Sequence, residues 1–434
     1  MARVSENSEQ IIQTTVKVLE QVFGEAGGAV ANVRLWDGAV WPEDRRNAVT
    51  LVLKYPGALN AMFKAGTELA LAEAYLHDDF DIEGDMESVF RLYDILRGNT
   101  AGWTQKLSIS KLLAKLPKPR CHDPGERGPA KLCGGRHTVS RDRKAVTYHY
   151  DVSGDFYSLW LDRRMVYSCA YFHGKDTELD HAQEMKLDYI CRKLRLRPGQ
   201  RLLDIGCGWG GLVIHAAGNY GVDATGITLS RPQAELAAAR IAEAGLADRA
   251  RVLVKDYREI PYGSPDNTYD ALVSVGMFEH VGVDHLPEYF ARAWELLRPG
   301  GVFLNHGIAC QAAKFGKKAA SEFFRNYVFP DGELAPVSGT LCAAETARFE
   351  VRDLESLREH YLLTLRHWLR RLEERHTEAL RLVDEPTFRV WKLFIAASAY
   401  TFDTGSQNLY QALLVKPTAD GRSGLPLTRD DWYT

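Results

Sequence analysis

Cysteine is scarce in this sequence, and the seven present are an odd number in 434 residues. A disulfide framework is therefore not expected, and a reducing, cytoplasmic setting is. Long apolar runs are missing too. None approaches the roughly 18 residues needed to cross a bilayer, and the N-terminal stretch lacks the basic start and apolar block of a signal peptide. Excess positive charge is absent overall: the formal net charge is −3, which argues against a nucleic-acid binder. There is no internal repeat, no Gly-Lys-Ser/Thr phosphate loop and no G-x-S-x-G nucleophile elbow. What remains is an ordinary globular composition, 45% hydrophobic and 26% charged, in a protein long enough for two domains.

The charge is unevenly spread. From Arg97 to Lys144 stand twelve Lys and Arg against Asp123, Glu126 and Asp142, a local +9 in an otherwise acidic protein. Pro117, Pro119, Pro124 and Gly125 punctuate the same stretch. It reads as a basic linker over 99–144, between a small domain over 1–98 and a larger one over 145–434. The first half of the linker, Trp103–Pro117, has a helical pattern. Trp103, Leu107, Leu112, Leu113 and Leu116 share part of one side, flanked by Lys106, Lys111 and Lys115, which suits an anionic bilayer surface. Cys121, His122, Cys133 and His137 fit no common metal spacing, so no metal is expected.

The small domain reads as α+β. A helix is expected at Ile11–Phe23, strands at Val33–Trp36 and Thr50–Tyr55, helices at Pro56–Phe63 and Gly66–Tyr75, then Asp-rich turns through Asp85. It shows no catalytic constellation, and lipid binding or assembly is the role expected of it. The larger domain alternates strands (Arg201–Ile205, Asp223–Ile227, Arg251–Lys255, Tyr269–Val275, Gly301–His306) with helices, which predicts an α/β fold with a parallel sheet covered on both faces. Arg352–Leu382 reads as one long helix.

The strongest local signal is Leu202-Leu203-Asp204-Ile205-Gly206-Cys207-Gly208-Trp209-Gly210. A strand runs into glycines and then a helix, which lets backbone approach a ligand closely. It is not the dinucleotide G-x-G-x-x-G. Asp204, directly before the loop, suits a cationic ligand group.

This loop resembles the S-adenosylmethionine (SAM) loop of class I methyltransferases with a Rossmann-like catalytic domain. Tyr167–Phe172, Gly226–Ser230 with Gln233, Asp256–Arg258 and Ser274–Gly282 narrow the resemblance to the cyclopropane-fatty-acyl-phospholipid synthase family, which includes the mycolic acid cyclopropane synthases. It covers about 145–415 and, more weakly, 30–98. The resemblance implies a cofactor site at Tyr167, Ser168, Asp204, Gly206, Gly208, Gly210, Thr228, Leu229, Ser230, Gln233, Asp256 and Tyr257. For Thr228 and Ser230, helix capping is an equal reading.

The implied reaction transfers a methyl group from SAM to a cis double bond in an acyl group of a membrane phospholipid. The resulting carbocation loses a proton as a cyclopropane ring closes. Aromatic faces stabilise such a cation by roughly 0.5–2 kcal/mol each; Tyr171, Phe172, Phe278 and Tyr361 are the candidates. In the family the base is a bound bicarbonate, and its cradle matches here at Cys169, Glu279, His306, Ile308 (through its backbone) and Tyr361. Two departures stand out: Ser398 replaces a frequent Cys, and Phe402-Asp403 replaces a frequent Phe-Arg, with Gln411 still following. They leave room for a methylene- or methyl-branched product; a lipid-binding or carrier protein that kept the fold without turnover is the alternative from a different class. The implied partners are phospholipid acyl chains and an anionic membrane, met peripherally on the inner face, with a homodimer allowed for and nucleic acid not expected.

Overall fold

The computed structural model describes residues 2–98, 102–122, 128–150, 152–264, 268–315 and 321–433. Residues 99–101 and 123–127 of the basic linker, with Asp123 and Glu126, lie outside the described residues. The protein forms two compact units. The first comprises Met1–Pro129 with Ser321–Tyr327 and Val383–Tyr400; the second comprises Ala130–Ala320, Val328–Leu382 and Thr401–Thr434. Two segments from the C-terminal half thus complete the first unit.

The first unit carries a four-stranded sheet in the order β2-β1-β3-β4, with β1 at Ala31–Arg34, β2 at Val40–Trp41, β3 at Val49–Leu53 and β4 at Phe80–Gly84. In β3 the residues Val49, Leu51 and Leu53 are buried and the two between them are half-buried, the period-two signature of a strand on a core. Residues 80–84, expected as turns, form a strand instead. Phe80 and Ile82 point inward between Asp81 and Glu83, and all five residues pair antiparallel with β3. The acidic residues alternate here, so they mark the wet face of an edge strand.

The helix expected in the linker is present at Trp103–Leu113, but its apolar residues do not share one side. Trp103 and Leu107 are 76% and 44% exposed, whereas Leu113 and Leu116 are buried. The buried end is fixed by Asn60, whose side-chain amide donates to the carbonyls of Leu113 (2.9 Å), Leu116 (3.2 Å) and Pro117 (2.8 Å).

The second unit is built on a seven-stranded sheet. Its strands are β5 (Arg201–Ile205), β6 (Asp223–Thr228), β7 (Ala250–Val254), β8 (Tyr269–Val275), β9 (Leu297–Cys310), β10 (Glu350–Ser356) and β11 (Gln407–Val415). The order is β10-β11-β9-β8-β5-β6-β7. Strands β5 to β9 pair parallel, but β11 runs antiparallel to both β9 and β10, so the sheet is mixed rather than wholly parallel. Alternate residues feed two separate cores: Leu202, Ala271, Val273, Val302 and Leu304 on one face, Leu203, Leu272 and Phe303 on the other. That double burial is why these strands read as continuous apolar runs.

The long helix expected over 352–382 is three elements. Glu350–Ser356 is β10, Arg358–Glu374 is a helix, and His376–Ala379 is a short one. Leu354, read as the start of the helical stripe, lies 39% exposed on the edge strand. The real buried face of the helix is Leu365, Trp368 and Leu372, each at 0% exposure.

Candidate functional site

The sheet changes direction at β5, which has β6 on one side and β8 on the other. In open α/β sheets such a switch point leaves a crevice at the carboxyl ends of the strands. The glycine loop fills that place. Gly206 sits at φ +87°, and a Cβ there would meet the Met277 Cβ at 2.6 Å. Gly208 sits at φ +54° with nothing within 4 Å of a built Cβ, so this position opens onto free space.

A cavity of about 1150 Å³, counted out to its mouth, lies against the loop. Tyr167, Ser168, Asp204, Gly206 and Gly208 line it on the loop side, and Thr228, Leu229, Gln233, Asp256 and Tyr257 on the other. Gly210 and Ser230 do not. Gly210 caps the helix Gly211–Tyr220 and faces Ala237, while Ser230 caps the helix Arg231–Glu243, its hydroxyl accepting the Gln233 N–H at 3.4 Å.

Beneath the loop sits a buried pair of charges. Asp204 is 3% exposed and Lys186 is 1% exposed. Burial pushes the Asp204 carboxyl up to about 7, against the pull of the Lys186 ammonium. Burial pushes Lys186 down to about 8, opposed by Cys169, Asp162 and Asp204. The Lys186 ammonium donates to the Ser168 hydroxyl at 2.8 Å, and Gln183, one turn earlier on the helix Leu179–Lys193, donates to the Ser168 carbonyl at 2.8 Å. One helix therefore fixes the Tyr167–Ser168 segment and balances Asp204.

On the far side, the Thr228 hydroxyl donates to the Gln233 side-chain oxygen at 2.7 Å and accepts the Ser230 N–H at 3.1 Å. Asp256 accepts two bonds from Arg258, at 2.8 and 2.7 Å, and the same guanidinium reaches Asp142 at 2.8 Å. Tyr257 is buried edge-on against Tyr289.

None of the five residues expected to hold a base lines this cavity, but their neighbours Tyr150, Met277 and His280 do. Glu279 sits in a single turn after β8. Its Oε1 accepts the Ile308 N–H at 2.7 Å, so that N–H is engaged by Glu279, and its Oε2 is buried without a hydrogen-bond partner. Burial pushes the Glu279 carboxyl up to about 7. His306, on β9, has Nδ1 3.1 Å from the Gln411 amide nitrogen. Lys193 donates to the Gln411 oxygen at 2.9 Å, which leaves the NH₂ end to face His306. Nδ1 is then the acceptor, and neutral His306 carries its proton on Nε2, which is buried and unpartnered. Burial holds His306 well below its ordinary value, so this neutral form persists. Tyr361 packs its ring on Phe402 and Trp368, at 4.8 and 6.0 Å, and its hydroxyl is raised by burial, then by Cys169 and Glu279. Cys169 is fully buried, with its thiol raised by the same desolvation.

Of the other aromatic candidates, Phe278 belongs to the core with Phe290, and Tyr171 stacks on His360 at 4.6 Å. Asp403 lies 3.7 Å from the Arg366 guanidinium on a half-wet surface. His122 meets Asp79 at 2.8 Å, while His137 lies 3.7 Å from Asp142.

Sequence reasoning missed Lys186, Tyr150, Arg258 and the bond from Gln411 to His306. Arg258 and Gln411 stood within the resembling segments without a role assigned to them, and Lys186 had a signal of its own: it occupies the apolar stripe of its helix, one turn from Ala182 and from Ile190, both fully buried.

The family model described as mycolic acid cyclopropane synthetase matches residues 137–412. The protein is 40% identical over 404 residues to a Pseudomonas putida protein named probable fatty acid methyltransferase, covering 92% of this sequence and 95% of that one. It is 35% identical over 273 residues to the cyclopropane-fatty-acyl-phospholipid synthase of Escherichia coli K12, covering 63% and 68%. The solved structure of mycolic acid cyclopropane synthase CmaA1, complexed with SAH and CTAB, superimposes with a TM-score of 0.59 at 32% identity, covering 63% of this protein and 97% of that one.

Proposed function

The protein belongs to the mycolic acid cyclopropane synthetase family of SAM-dependent enzymes, and from that premise we propose that it transfers a methyl group from SAM to the cis double bond of a phospholipid acyl group and closes a cyclopropane ring. The observation that carries this reading is the pairing of an open glycine cavity with a buried, half-satisfied polar set.

The cavity fits SAM. Gly208 leaves free space where any side chain would intrude, Asp204 offers a carboxylate to an ammonium, and Thr228, Gln233, Asp256 and Tyr257 form the opposite wall. SAM bound there supplies an electrophilic methyl group. Bicarbonate is consistent with the same residues: Glu279 Oε2 and His306 Nε2 are each buried without a partner, one an acceptor and the other a donor, the two kinds of bond that an oxyanion carrying one proton makes. Bicarbonate held there supplies a base. The protein's own part is to orient and exclude. Ile308 aims the Glu279 carboxyl, Lys193 and Gln411 fix the His306 tautomer, and Tyr361 and Phe402 keep the surroundings apolar and aromatic. Two anions side by side repel unless they share a proton; the raised Glu279 carboxyl can retain one near neutral pH.

A second reading is methylation at an acyl carbon that leaves a methylene or methyl branch. It is favoured by the 40% identity, over nearly the whole sequence, to the relative named probable fatty acid methyltransferase. Membrane association is proposed as peripheral: no helix among the described residues is long and apolar enough to cross a bilayer, while Trp103 and Leu107 are exposed beside Lys106 and Lys111.

Mass spectrometry of lipids from a host expressing the protein, fed labelled methionine, tests both readings. A ring adds CH₂ and resists hydrogenation. A methylene branch adds CH₂ and takes up hydrogen. A saturated methyl branch adds CH₂ and two further hydrogens. SAM uptake with no labelled lipid and no SAH sinks the enzymatic reading.

A further inference from the structure

The first unit contains a cavity of its own, about 720 Å³ with the open space at its mouth included. All its lining residues belong to that unit. Its walls come from β3 and β4, from the helices Glu68–Leu76 and Ser88–Gly98, and from both returning segments, which contribute Phe324 and Leu393. Glu68 is the one charged residue among the lining residues described; the rest are apolar or aromatic. Leu71, Phe90, Leu96 and Phe324 remain only half-buried there.

Protein interiors pack to crystal density, and a void lined by apolar groups forfeits contacts. Water does not compensate, because such cavities stay dry unless they offer several polar partners. Here the Glu68 carboxylate already accepts the Ser321 hydroxyl. An open-mouthed cavity with walls this apolar is therefore suited to a flexible apolar occupant. Charges of both signs act on the hydroxyl of the lining residue Tyr93: Glu68, itself a lining residue, Asp94, and Arg97, whose guanidinium lies 5.8 Å from the Tyr93 ring. A bare carboxylate would be repelled by Glu68 and Asp94, whereas a head bearing both an ammonium and a phosphate meets a charge of opposite sign for each.

We propose that this cavity is a second lipid site, which takes one acyl tail of a zwitterionic phospholipid within the first unit. The choice of ligand rests on the acyl-lipid reading above; the site itself rests on the cavity.

The test uses the full-length protein, stripped of lipid, with a phosphatidylethanolamine that carries a diazirine on its palmitoyl tail. After photolysis, labels are expected on peptides containing Leu71, Phe90, Leu96 or Leu393. Ala72→Phe and Ala397→Phe, each placing a ring in the void, should cut that labelling about tenfold with labels on the second unit unchanged. Unlabelled phosphatidylethanolamine should compete and palmitate should not. Absence of wall labels in the natural protein overturns the proposal even if neither variant folds, and so does unchanged labelling in both folded variants. Equal competition by palmitate overturns the zwitterionic assignment. Wall labelling without methyl transfer would sink the proposed function alone; methyl transfer without wall labelling would sink this site alone.

Discussion

Glu279 accepts the Ile308 N–H on one carboxyl oxygen at 2.7 Å and keeps the other buried and unpaired. A buried group held half-satisfied costs stability, and such groups cluster where chemistry needs them. Glu279→Gln keeps the Oε1 acceptor but loses the proton exchange. Turnover should collapse while SAM affinity, read by calorimetry, stays within about twofold. Stability should move the other way. The carboxyl rises from an ordinary 4.5 to about 7 on folding, so the unfolded state ionises first and stability drains away as pH rises between those values. Above pH 7 the variant should be more stable by up to about 3 kcal/mol, and near pH 4 the two should converge. Urea unfolding at both pH values checks this.

The proposed bicarbonate role, which would occupy the orphaned atoms Glu279 Oε2 and His306 Nε2, predicts a dependence on that ion. Activity should fall in carefully degassed, carbonate-depleted buffer and recover on addition of bicarbonate, with Glu279→Gln responding weakly. Full activity without bicarbonate would leave Glu279 itself as the base.

Gln411 is expected to position His306 rather than to touch substrate. Gln411→Leu removes the bond to Nδ1 and takes one partner from the buried Lys193 ammonium, which keeps its bond to Glu355. The bicarbonate concentration giving half activity should rise about tenfold or more, with SAM affinity unchanged. An unchanged bicarbonate response would make Gln411 merely structural.

Lys186→Met should weaken SAM binding and make it more pH-dependent. The Asp204 carboxyl sits at about 7 with the ammonium in place. Without that ammonium it ionises at higher pH, so less carboxylate is present at neutrality. Affinity should fall at pH 7 and partly recover by pH 9; a uniform loss across that range would count against the electrostatic role.

Gly208→Val should abolish SAM binding in a folded protein. Its Cβ points into open space beside the loop, at a φ of +54° that a branched residue resists. Calorimetry together with a melting curve separates lost binding from lost folding.

Membrane binding should depend on salt and on anionic lipid. Lys106, Lys111 and Lys115 are exposed beside Trp103, and each is worth about 1 kcal/mol at best near such a surface. Replacing all three with Glu should weaken vesicle sedimentation at low salt. Equal sedimentation would leave the linker a solvated connector.

Local chemistry determined the parts the sequence could declare alone. The glycine loop, the Ser230 cap and the doubly buried strands β5, β6, β8 and β9 follow from short-range sterics and from apolar patterns a few residues long. The proposed base cradle rests on family resemblance, because Cys169, Glu279, His306 and Tyr361 come from four distant segments and no spacing links them. Tertiary structure decided the rest. Pairing with β11 drew Leu354 out of a helical pattern and into an edge strand. Burial against the glycine loop joined Lys186 to Ser168. The first unit's cavity needed Phe324 and Leu393 to return from the far half of the sequence. Each of these is a contact whose energy exists only after loop closure has brought its partners together, so a residue's own neighbourhood records at most its burial, as the stripe around Lys186 does, and not what it will meet.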